Sequence, residues 1–215
     1  GDALGDVSRF GLDAAAAAAF LGLLWPRVHS LQPIAVAAVA AVSEEIARDA
    51  LDLIEVEYEV LPAQLDPQDA LSGTGPEVHS GRTLAHEIQF HRGNVDDAFA
   101  KAHLVFEAEY STHAQYPGYL EPMATVAALD PMGRLEVWTS TQSAFLARAR
   151  LASALEIPHS RIRLHQTTTG GGFGGKMIED ANNLIAGLLA VHAQRPVRLV
   201  NNRLEDFQAC CSSVP

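Results

Sequence analysis

A run of glycines near residue 170 combines the residue types and the spacing in this chain that are best suited to chemistry. The run from Thr167 to Lys176, here called the glycine loop, reads TTTGGGFGGK and has five glycines within six positions. Ordering glycine costs backbone entropy and buries no side chain in return, so packing alone is a poor explanation. A strand pattern precedes the loop and a helical pattern follows it, and free amides at such a connection can hold an anion.

Two general phosphate-binding patterns are only partly met in the glycine loop. The glycines fit G-x-G-x-x-G, but Asn201 stands roughly where a dinucleotide-binding fold needs an acidic residue. Lys176 completes G-x-x-x-x-G-K, but Met177 follows it where a P-loop needs Ser or Thr to hold magnesium. A P-loop-like phosphate- or nucleotide-binding protein is therefore an alternative hypothesis.

Two other polar segments lie at similar places in the predicted strand order. Glu121 stands between Pro117 and Pro122 beside two tyrosines, and Gln142 lies in the polar run 140–143 between a strand and a helix. Each segment alone is explained as a rigid turn or a helix cap. Together with the glycine loop they lie at strand-to-helix connections, which is where open sheets carry ligands.

Side-chain patterns for a metal centre or a cysteine nucleophile are not met. His86 and His91 are one residue too far apart for the HExxH zinc motif, and a strand would point them to opposite faces. Cys210 and Cys211 are adjacent, which matches neither zinc nor iron–sulfur spacing and favours a reducing compartment. We interpret these histidines as surface residues.

The composition excludes some classes of partner. The chain has 215 residues and a net charge of −11, which argues against binding a nucleic-acid backbone. The apolar run 14–25 is too short to span a bilayer, and no basic segment precedes it. We expect no membrane span and a cytoplasmic location, with the periplasm as the alternative for a protein exported after folding.

The elements that must position these residues follow from periodicity and capping, and they predict a mixed α/β (α+β) fold. A domain boundary is expected in the segment 64–82, which is rich in proline and glycine. The predicted helices lie at 12–24, after Ser43, from Asn94 to Ala102, from Ser143 to Leu155 and from Ala181 onward. The predicted strands are 33–42, 53–60, 83–91, 104–110, 120–129, 134–139 and 161–165.

The order of these segments resembles the molybdopterin-binding (large) subunit of the xanthine dehydrogenase and aldehyde oxidase family, the molybdenum hydroxylases. The likeness covers about residues 30 to 207. It rests on four runs: Gln32-Pro33-Ile34-Ala35 with Ala47-Arg48-Asp49-Ala50 and 56–62; Tyr119-Leu120-Glu121-Pro122; Ser140-Thr141-Gln142; and Gly170 to Lys176 with Arg195-Pro196-Val197 after it.

The resemblance implies a domain order. Residues 30–80 would be the C-terminal part of an α/β hammerhead domain, and residues 84–215 the first part of the molybdenum-cofactor-binding domain. Residues 1–29 match the family poorly. The family's catalytic glutamate lies further along than position 215, so the catalytic residue is unknown here, and we expect this chain to be inactive as an isolated fragment.

The resemblance also implies a cofactor site. Gln142 and Phe173 would lie beside molybdenum without being direct side-chain ligands, and Gly171, Gly172 and Gly174 would contact the cofactor. Glu121 and Met177 would lie on the substrate side. The cofactor would be molybdenum-molybdopterin in its cytosine dinucleotide form, with 2Fe-2S centres and FAD on partner subunits or domains.

The implied function is oxidation of an aldehyde or N-heteroaromatic substrate with water as the oxygen source. Purine-oxidising members carry a glutamate directly after the lysine, where this chain has Met177. We therefore expect an enzyme that is not a xanthine oxidase of that type. A non-catalytic assembly module is the other alternative, favoured by the acidic surface and the missing catalytic glutamate.

Overall fold

The structure is a computed structural model that describes residues 37–77, 81, 87–177 and 181–209. The chain divides into two compact units, Val56–Tyr110 and the remainder. The helices are α1 (Glu44–Leu51), α2 (Pro67–Ser72), α3 (Val95–Lys101), α4 (Ala144–Leu155), α5 (Ala181–Ala193) and α6 (Arg203–Ala209). The strands are β1 (Ala124–Leu129), β2 (Leu135–Thr139), β3 (Ile162–Gln166) and β4 (Val197–Val200).

The larger unit is built on one mixed sheet with the strand order β3-β2-β1-β4. β1 pairs antiparallel with β2 and with β4, whereas β2 and β3 are parallel. Parallel neighbours need a long connection. Here α4 supplies it, and α4 and α5 pack on the sheet and against each other. The mixed α+β class expected from the sequence is confirmed.

The strands predicted at 120–129 and 134–139 pair as a β1–β2 hairpin, whose turn is Asp130-Pro131-Met132-Gly133. Asp130 Oδ1 accepts hydrogen bonds from the Met132 and Arg134 amides, both at 2.8 Å, and Oδ2 lies 2.7 Å from Arg134 Nε. Gly133 adopts φ +72°, a left-handed conformation that glycine tolerates best. These bonds lower the Asp130 pKa below its usual range, with the Arg134 amide as the main cause and burial opposing it.

The core of this unit lies between the sheet and the two long helices. Leu135 and Val137 of β2 are buried, as are Leu151 of α4 and Leu188 of α5. Gly187 allows the helices to approach, since a Cβ there would lie 3.1 Å from Leu151 Cδ1. The rigidity of this core gives the connections at the sheet edge a fixed base.

The helix starts predicted at Ser43 and Asn94 are confirmed, and both depend on local hydrogen bonds. Ser43 Oγ accepts from the Ile46 amide at 3.3 Å, and Asn94 Oδ1 accepts from the Asp97 amide at 3.1 Å. Ser143 precedes α4 as expected, although its side chain makes no capping bond. Among the described residues no helix is both long and apolar enough to cross a membrane.

Four predicted strands are wrong within the described residues. The segments 37–42, 53–60, 87–91 and 104–110 contain no strand, and Tyr58, Val60 and Phe106 are exposed. An alternating pattern becomes a strand only when a neighbouring strand completes its hydrogen bonds, and the described residues supply no such neighbour to these segments. The predicted elements at 12–24, 33–36 and 83–86 lie outside the described residues.

In the smaller unit, part of the predicted linker 64–82 is helical. Asp66 caps α2 by accepting from the Gln68 and Asp69 amides, and Gly73 ends the helix with φ +73°. Proline at the first helical position and glycine after the last one are typical helix boundaries. The expected division into residues 30–80 and 84–215 stays a prediction.

Candidate cofactor site

The sheet topology brings four connections to one edge. β2 and β3 are parallel, so their carboxyl ends lie side by side, with Thr139 opposite Gln166 and the Thr167 amide donating to Thr139 O at 3.0 Å. β1 runs the other way, so the turn before it and the end of β4 lie at the same edge. The segments that meet are 119–123, 140–143, 167–177 and 201–202.

The glycine loop has a backbone conformation that few residues other than glycine adopt. Gly171 and Gly174 have φ values of +93° and +94°, and Phe173 between them has φ +49°. A left-handed conformation at phenylalanine is uncommon and is retained where the surrounding structure imposes it. The Phe173 side chain is 70% exposed, so its own packing does not impose that conformation.

Gln142 fixes the second half of the glycine loop. Its side-chain Oε1 accepts from the backbone amides of Gly174 at 3.0 Å and Lys176 at 3.3 Å. Its backbone amide donates to Lys176 O at 2.9 Å. A Cβ at Gly172 would lie only 2.4 Å from Gln142 Oε1. Glycine at position 172 is therefore a steric requirement of the Gln142 side chain.

Glu121 and Lys176 fix the two ends of the glycine run. Glu121 Oε2 lies 2.7 Å from Lys176 Nζ and also accepts from the Gly170 amide at 2.7 Å. The Glu121 amide donates to Gly170 O at 3.2 Å. Lys176 Nζ further donates to Ser140 Oγ at 3.3 Å and lies 4.7 Å from the Tyr119 ring centroid. The lysine side chain is 1% exposed, so its charge is balanced inside the fold.

The Glu121 pKa lies below its ordinary value of 4.5. Partial burial is the largest single influence and raises this pKa, but several hydrogen bonds together outweigh it. The Lys176 ammonium contributes most to the lowering, followed by the Gly170 amide. The carboxylate is thus held in its charged form.

Helix α6 supports the turn that carries Glu121. Arg203 donates to the carbonyl oxygens of Tyr119, at 2.9 Å, and Leu120. Asp206 is fully buried, and its Oδ1 accepts from the Met123 amide and from Asn201 Nδ2, both at 3.1 Å. Asp206 Oδ2 lies 3.6 Å from Arg203 Nη1. The turn is therefore held from behind by α6 and in front by the glycine loop.

Three consecutive amides of the glycine loop remain available. Within the described part of the chain, the N–H groups of Gly171, Gly172 and Phe173 make no hydrogen bond, whereas those of Gly170, Gly174 and Lys176 do. Backbone amides in successive left-handed and turn conformations form concave anion sites. The arrangement can donate several hydrogen bonds to one oxygen-rich group.

The structure brings most of the predicted site residues together. Gln142, Glu121 and the glycine loop are in direct contact, and Met177 lies at the end of the loop with its side chain 44% exposed. The roles that the resemblance implies for these residues stay predictions. No group of three or more His, Cys, Asp or Glu side chains is placed to hold a metal ion among the described residues.

Sequence reasoning missed three residues that shape the site. The sequence indicates Lys176 only as a possible phosphate ligand, and no motif points to Arg203 or Asp206. The pairing of Lys176 with Glu121 joins residues 55 positions apart and depends on the sheet topology. A sequence signal did exist for α6, because Asn202 and Glu205 form a capping box that marks its start.

Comparison with known proteins identifies the family and several relatives of this chain. The model of the molybdopterin cofactor-binding domain family matches residues 78–214. The chain is 38% identical over 172 residues to the nicotinate dehydrogenase large molybdopterin subunit of Eubacterium barkeri, covering 80% of this chain and 40% of that protein. It is 36% identical over 177 residues to a probable xanthine dehydrogenase subunit of Bacillus subtilis strain 168, covering 81% of this chain and 23% of that protein.

A solved structure shows the same fold. The quinoline 2-oxidoreductase of Pseudomonas putida 86 is 31% identical, with a TM-score of 0.66, and the match covers 81% of this chain and 22% of that one. The chain thus spans less than half the length of each of these relatives. The matches therefore concern most of this chain and a smaller part of each relative.

Proposed function

Because the chain belongs to the molybdopterin cofactor-binding domain family, in which the relatives are molybdenum-dependent dehydrogenases, we propose that it forms part of the large subunit of a molybdenum hydroxylase. The complete enzyme oxidises an aldehyde or an N-heteroaromatic substrate with water as the source of oxygen. Electrons pass to 2Fe-2S centres and FAD on partner subunits or domains. The location proposed is the cytoplasm, with the periplasm as the alternative.

The residues present fit a molybdopterin cofactor, and the unpaired amides of Gly171, Gly172 and Phe173 are the observation that carries the proposal. A Cβ at Gly174 would have no atom of the described residues within 4 Å, so that part of the structure leaves open space beside these amides. Oxygen-rich cofactors are bound well by backbone donors in such loops, since no side chain blocks the approach. The proposed form of the cofactor is the cytosine dinucleotide.

In this proposal the protein residues bind and orient the cofactor, while the bound molybdenum centre supplies the redox chemistry. Gln142 holds the Gly174 and Lys176 amides, and Phe173 presents its side chain at the exposed surface of the loop. Both residues lie near the metal without ligating it through their side chains. Glu121 and Met177 are proposed to lie toward the substrate.

The nucleotide-binding alternative is weakened by the position of Lys176. A P-loop lysine must reach phosphate oxygens, but this ammonium group lies 2.7 Å from Glu121 Oε2 and is buried. Phosphate binding would require the loss of that ion pair. Thermal stabilisation by ATP or GTP with magnesium would be the result that restores this alternative, since a ligand that binds only the folded state raises its stability.

Substrate choice is a finer part of the same proposal. Met177 is partly exposed at the end of the glycine loop and offers no charge or hydrogen-bond donor to a purine. We infer that the enzyme does not oxidise xanthine in the manner of members with glutamate at this position. Efficient turnover of xanthine by the complete enzyme would contradict this inference.

The deciding experiment is elemental analysis of the protein purified from its own source together with its bound partners. Near-stoichiometric molybdenum accompanied by iron is the expected result. Absence of molybdenum from a preparation shown by mass spectrometry to be intact would overturn the hydroxylase proposal. It would leave an assembly module without a cofactor, and the nucleotide-binding test would come next.

A further inference from the structure

The ion pair between Glu121 and Lys176 is here called the clasp. Because Glu121 also binds the Gly170 amide, the clasp connects Gly170 with Lys176, the last residue of the glycine loop. We propose that the clasp is a positioning device that sets the conformation in which Gly171, Gly172 and Phe173 present their amides. The part of the inference that concerns the cofactor rests on the proposed function. The part that concerns the loop conformation does not.

A single oxygen atom makes the clasp. Glu121 Oε2 accepts from Gly170 N at one end of the glycine run and from Lys176 Nζ at the other end of the loop, both at 2.7 Å. Any rotation of the carboxylate therefore alters both contacts together. The Glu121 amide adds a third contact by donating to Gly170 O, so side chain and backbone fix the same residue.

Burial makes the clasp strict. The Lys176 side chain is 1% exposed, and Glu121 is its only carboxylate partner within the described residues. A buried ammonium group without a partner is strongly disfavoured, so the loop conformations that separate Lys176 from Glu121 are also disfavoured. Position 170 must also be glycine for this contact to form, because a Cβ there would lie 2.6 Å from Glu121 Cβ.

The clasp and Gln142 hold different groups of the glycine loop. Gln142 holds the amides of Gly174 and Lys176, whereas the clasp holds Gly170 and the lysine side chain. The three unpaired amides lie between these two anchors. Loss of the clasp should release Gly170 and the adjoining amides while the contacts of Gln142 with the backbone persist.

The test uses hydrogen exchange measured residue by residue in the complete protein as purified, with Glu121→Gln, Lys176→Met and the double variant. Glu121→Gln keeps an acceptor for Gly170 N but removes the charge that Lys176 needs. We expect exchange at the Gly170 amide to accelerate on the order of tenfold or more in each single variant. The double variant should have a higher melting temperature than Lys176→Met, because it leaves no unpaired, partly buried carboxylate.

Asp130→Asn provides the matched control, since it breaks another ion pair of 2.7 Å in the same unit, at the hairpin turn. It should leave exchange in the glycine loop within twofold of the wild-type rate. Unchanged loop exchange in Glu121→Gln, with a fall in melting temperature like that of the control, would reduce the clasp to a general stabilising contact and overturn the proposal.

The wild-type protein alone also tests the proposal, should the variants fail to fold. The Gly170 amide must exchange more slowly than the Gly171 amide, and equal rates would contradict the clasp.

Molybdenum content separates this inference from the proposed function. Accelerated loop exchange together with a molybdenum deficit in Glu121→Gln supports both ideas. Accelerated exchange in a protein whose wild type holds no molybdenum supports the clasp and refutes only the cofactor proposal.

Discussion

At the scale of single residues, the glycine loop shows why a composition so rich in glycine is retained. Gly171 and Gly174 supply left-handed backbone, whereas Gly170 and Gly172 lack a side chain because Glu121 and Gln142 occupy the space. The same residue type thus meets two different demands, one conformational and one steric. A substitution at Gly172 tests the steric demand, and its effect on stability and cofactor content can be measured.

Gly172→Ala is expected to distort the glycine loop for steric reasons alone. Its φ is not in the left-handed region, but the new Cβ would lie 2.4 Å from Gln142 Oε1. We expect the free energy of unfolding to fall by about 1–3 kcal/mol, as in other overpacked sites. Chemical denaturation would measure the fall, and the cofactor content should fall with it.

Gly133→Ala is the matched control for that substitution. It introduces strain at φ +72° in the hairpin turn, where, among the described residues, a Cβ would come within 4 Å only of Arg161 Nη2, at 3.4 Å. This control should lose about 1 kcal/mol of stability and keep its full cofactor content. Equal losses of cofactor in both variants would show that the glycine loop has no special tie to the cofactor.

Glu121 should make stability depend on acid pH. The pKa of Glu121 in the folded protein is lowered below 4.5. Its contribution to the free energy of unfolding is therefore fully present above the pKa that this glutamate has in the unfolded chain. The contribution is lost as the pH falls through the folded-state pKa. Lys176 is the charge that faces this carboxylate, together with the Ser140 hydroxyl and the Gly170 amide.

The difference in unfolding free energy between wild type and Glu121→Gln is the quantity to measure. Denaturation at a series of pH values should show a large difference at pH 7 that shrinks as the pH falls below 4.5. Asp130 also has a lowered pKa and adds its own pH dependence. Both proteins contain Asp130, so this part cancels in the difference. A difference independent of pH would show that Glu121 acts only through its shape.

Residue types predicted part of this site. Gln142 could be singled out from its place between a strand and a helix and from the family resemblance, and the glycines because they bury nothing. The partner of Lys176 could not be found, because 55 residues separate it from Glu121 and only the folded sheet joins them. Local spacing carries no information about such a pair.

At the scale of secondary structure, the site depends on where strands end. The helix starts at Ser43 and Asn94 and the hairpin at Asp130 were predictable, because each is decided by hydrogen bonds within a few residues. The strand expected at 53–60 alternates as clearly as β2, yet it is absent, since alternation does not supply a pairing neighbour. The parallel pairing of β2 with β3 was likewise not available from the sequence.

Asp206→Ala in helix α6 tests whether that helix supports the turn at 119–123. The substitution removes the acceptor of the Met123 amide and of Asn201 Nδ2 in a fully buried place. Leaving such donors unpaired should lower the unfolding free energy by about 2–4 kcal/mol. Glu205→Ala in the same helix removes one exposed capping bond and should cost about 1 kcal/mol or less. Similar losses in both variants would contradict a supporting role for Asp206.

At the scale of the whole molecule, the chain contains a closely packed part and a part that packs poorly by itself. The sheet, α4 and α5 share one core. In the unit Val56–Tyr110, by contrast, α2 and α3 contain no buried residue, and apolar side chains such as Val60 and Phe106 are exposed. Exposed apolar side chains in such numbers are typical of surfaces that other protein covers.

This contrast predicts the order in which a protease cleaves the chain when it is produced alone. A glutamate-specific protease should cut first after Glu55, Glu57, Glu59, Glu107 and Glu109, which lie in exposed segments without helix or strand. Glu136 lies within β2, between two paired strands, and cleavage there requires the sheet to open. Mass spectrometry over a time course should therefore find a fragment starting after Glu107 or Glu109 that keeps the bond after Glu136 intact. Early cleavage after Glu136 would instead show that the sheet is not stable without further parts of the protein, and the site geometry would then depend on them.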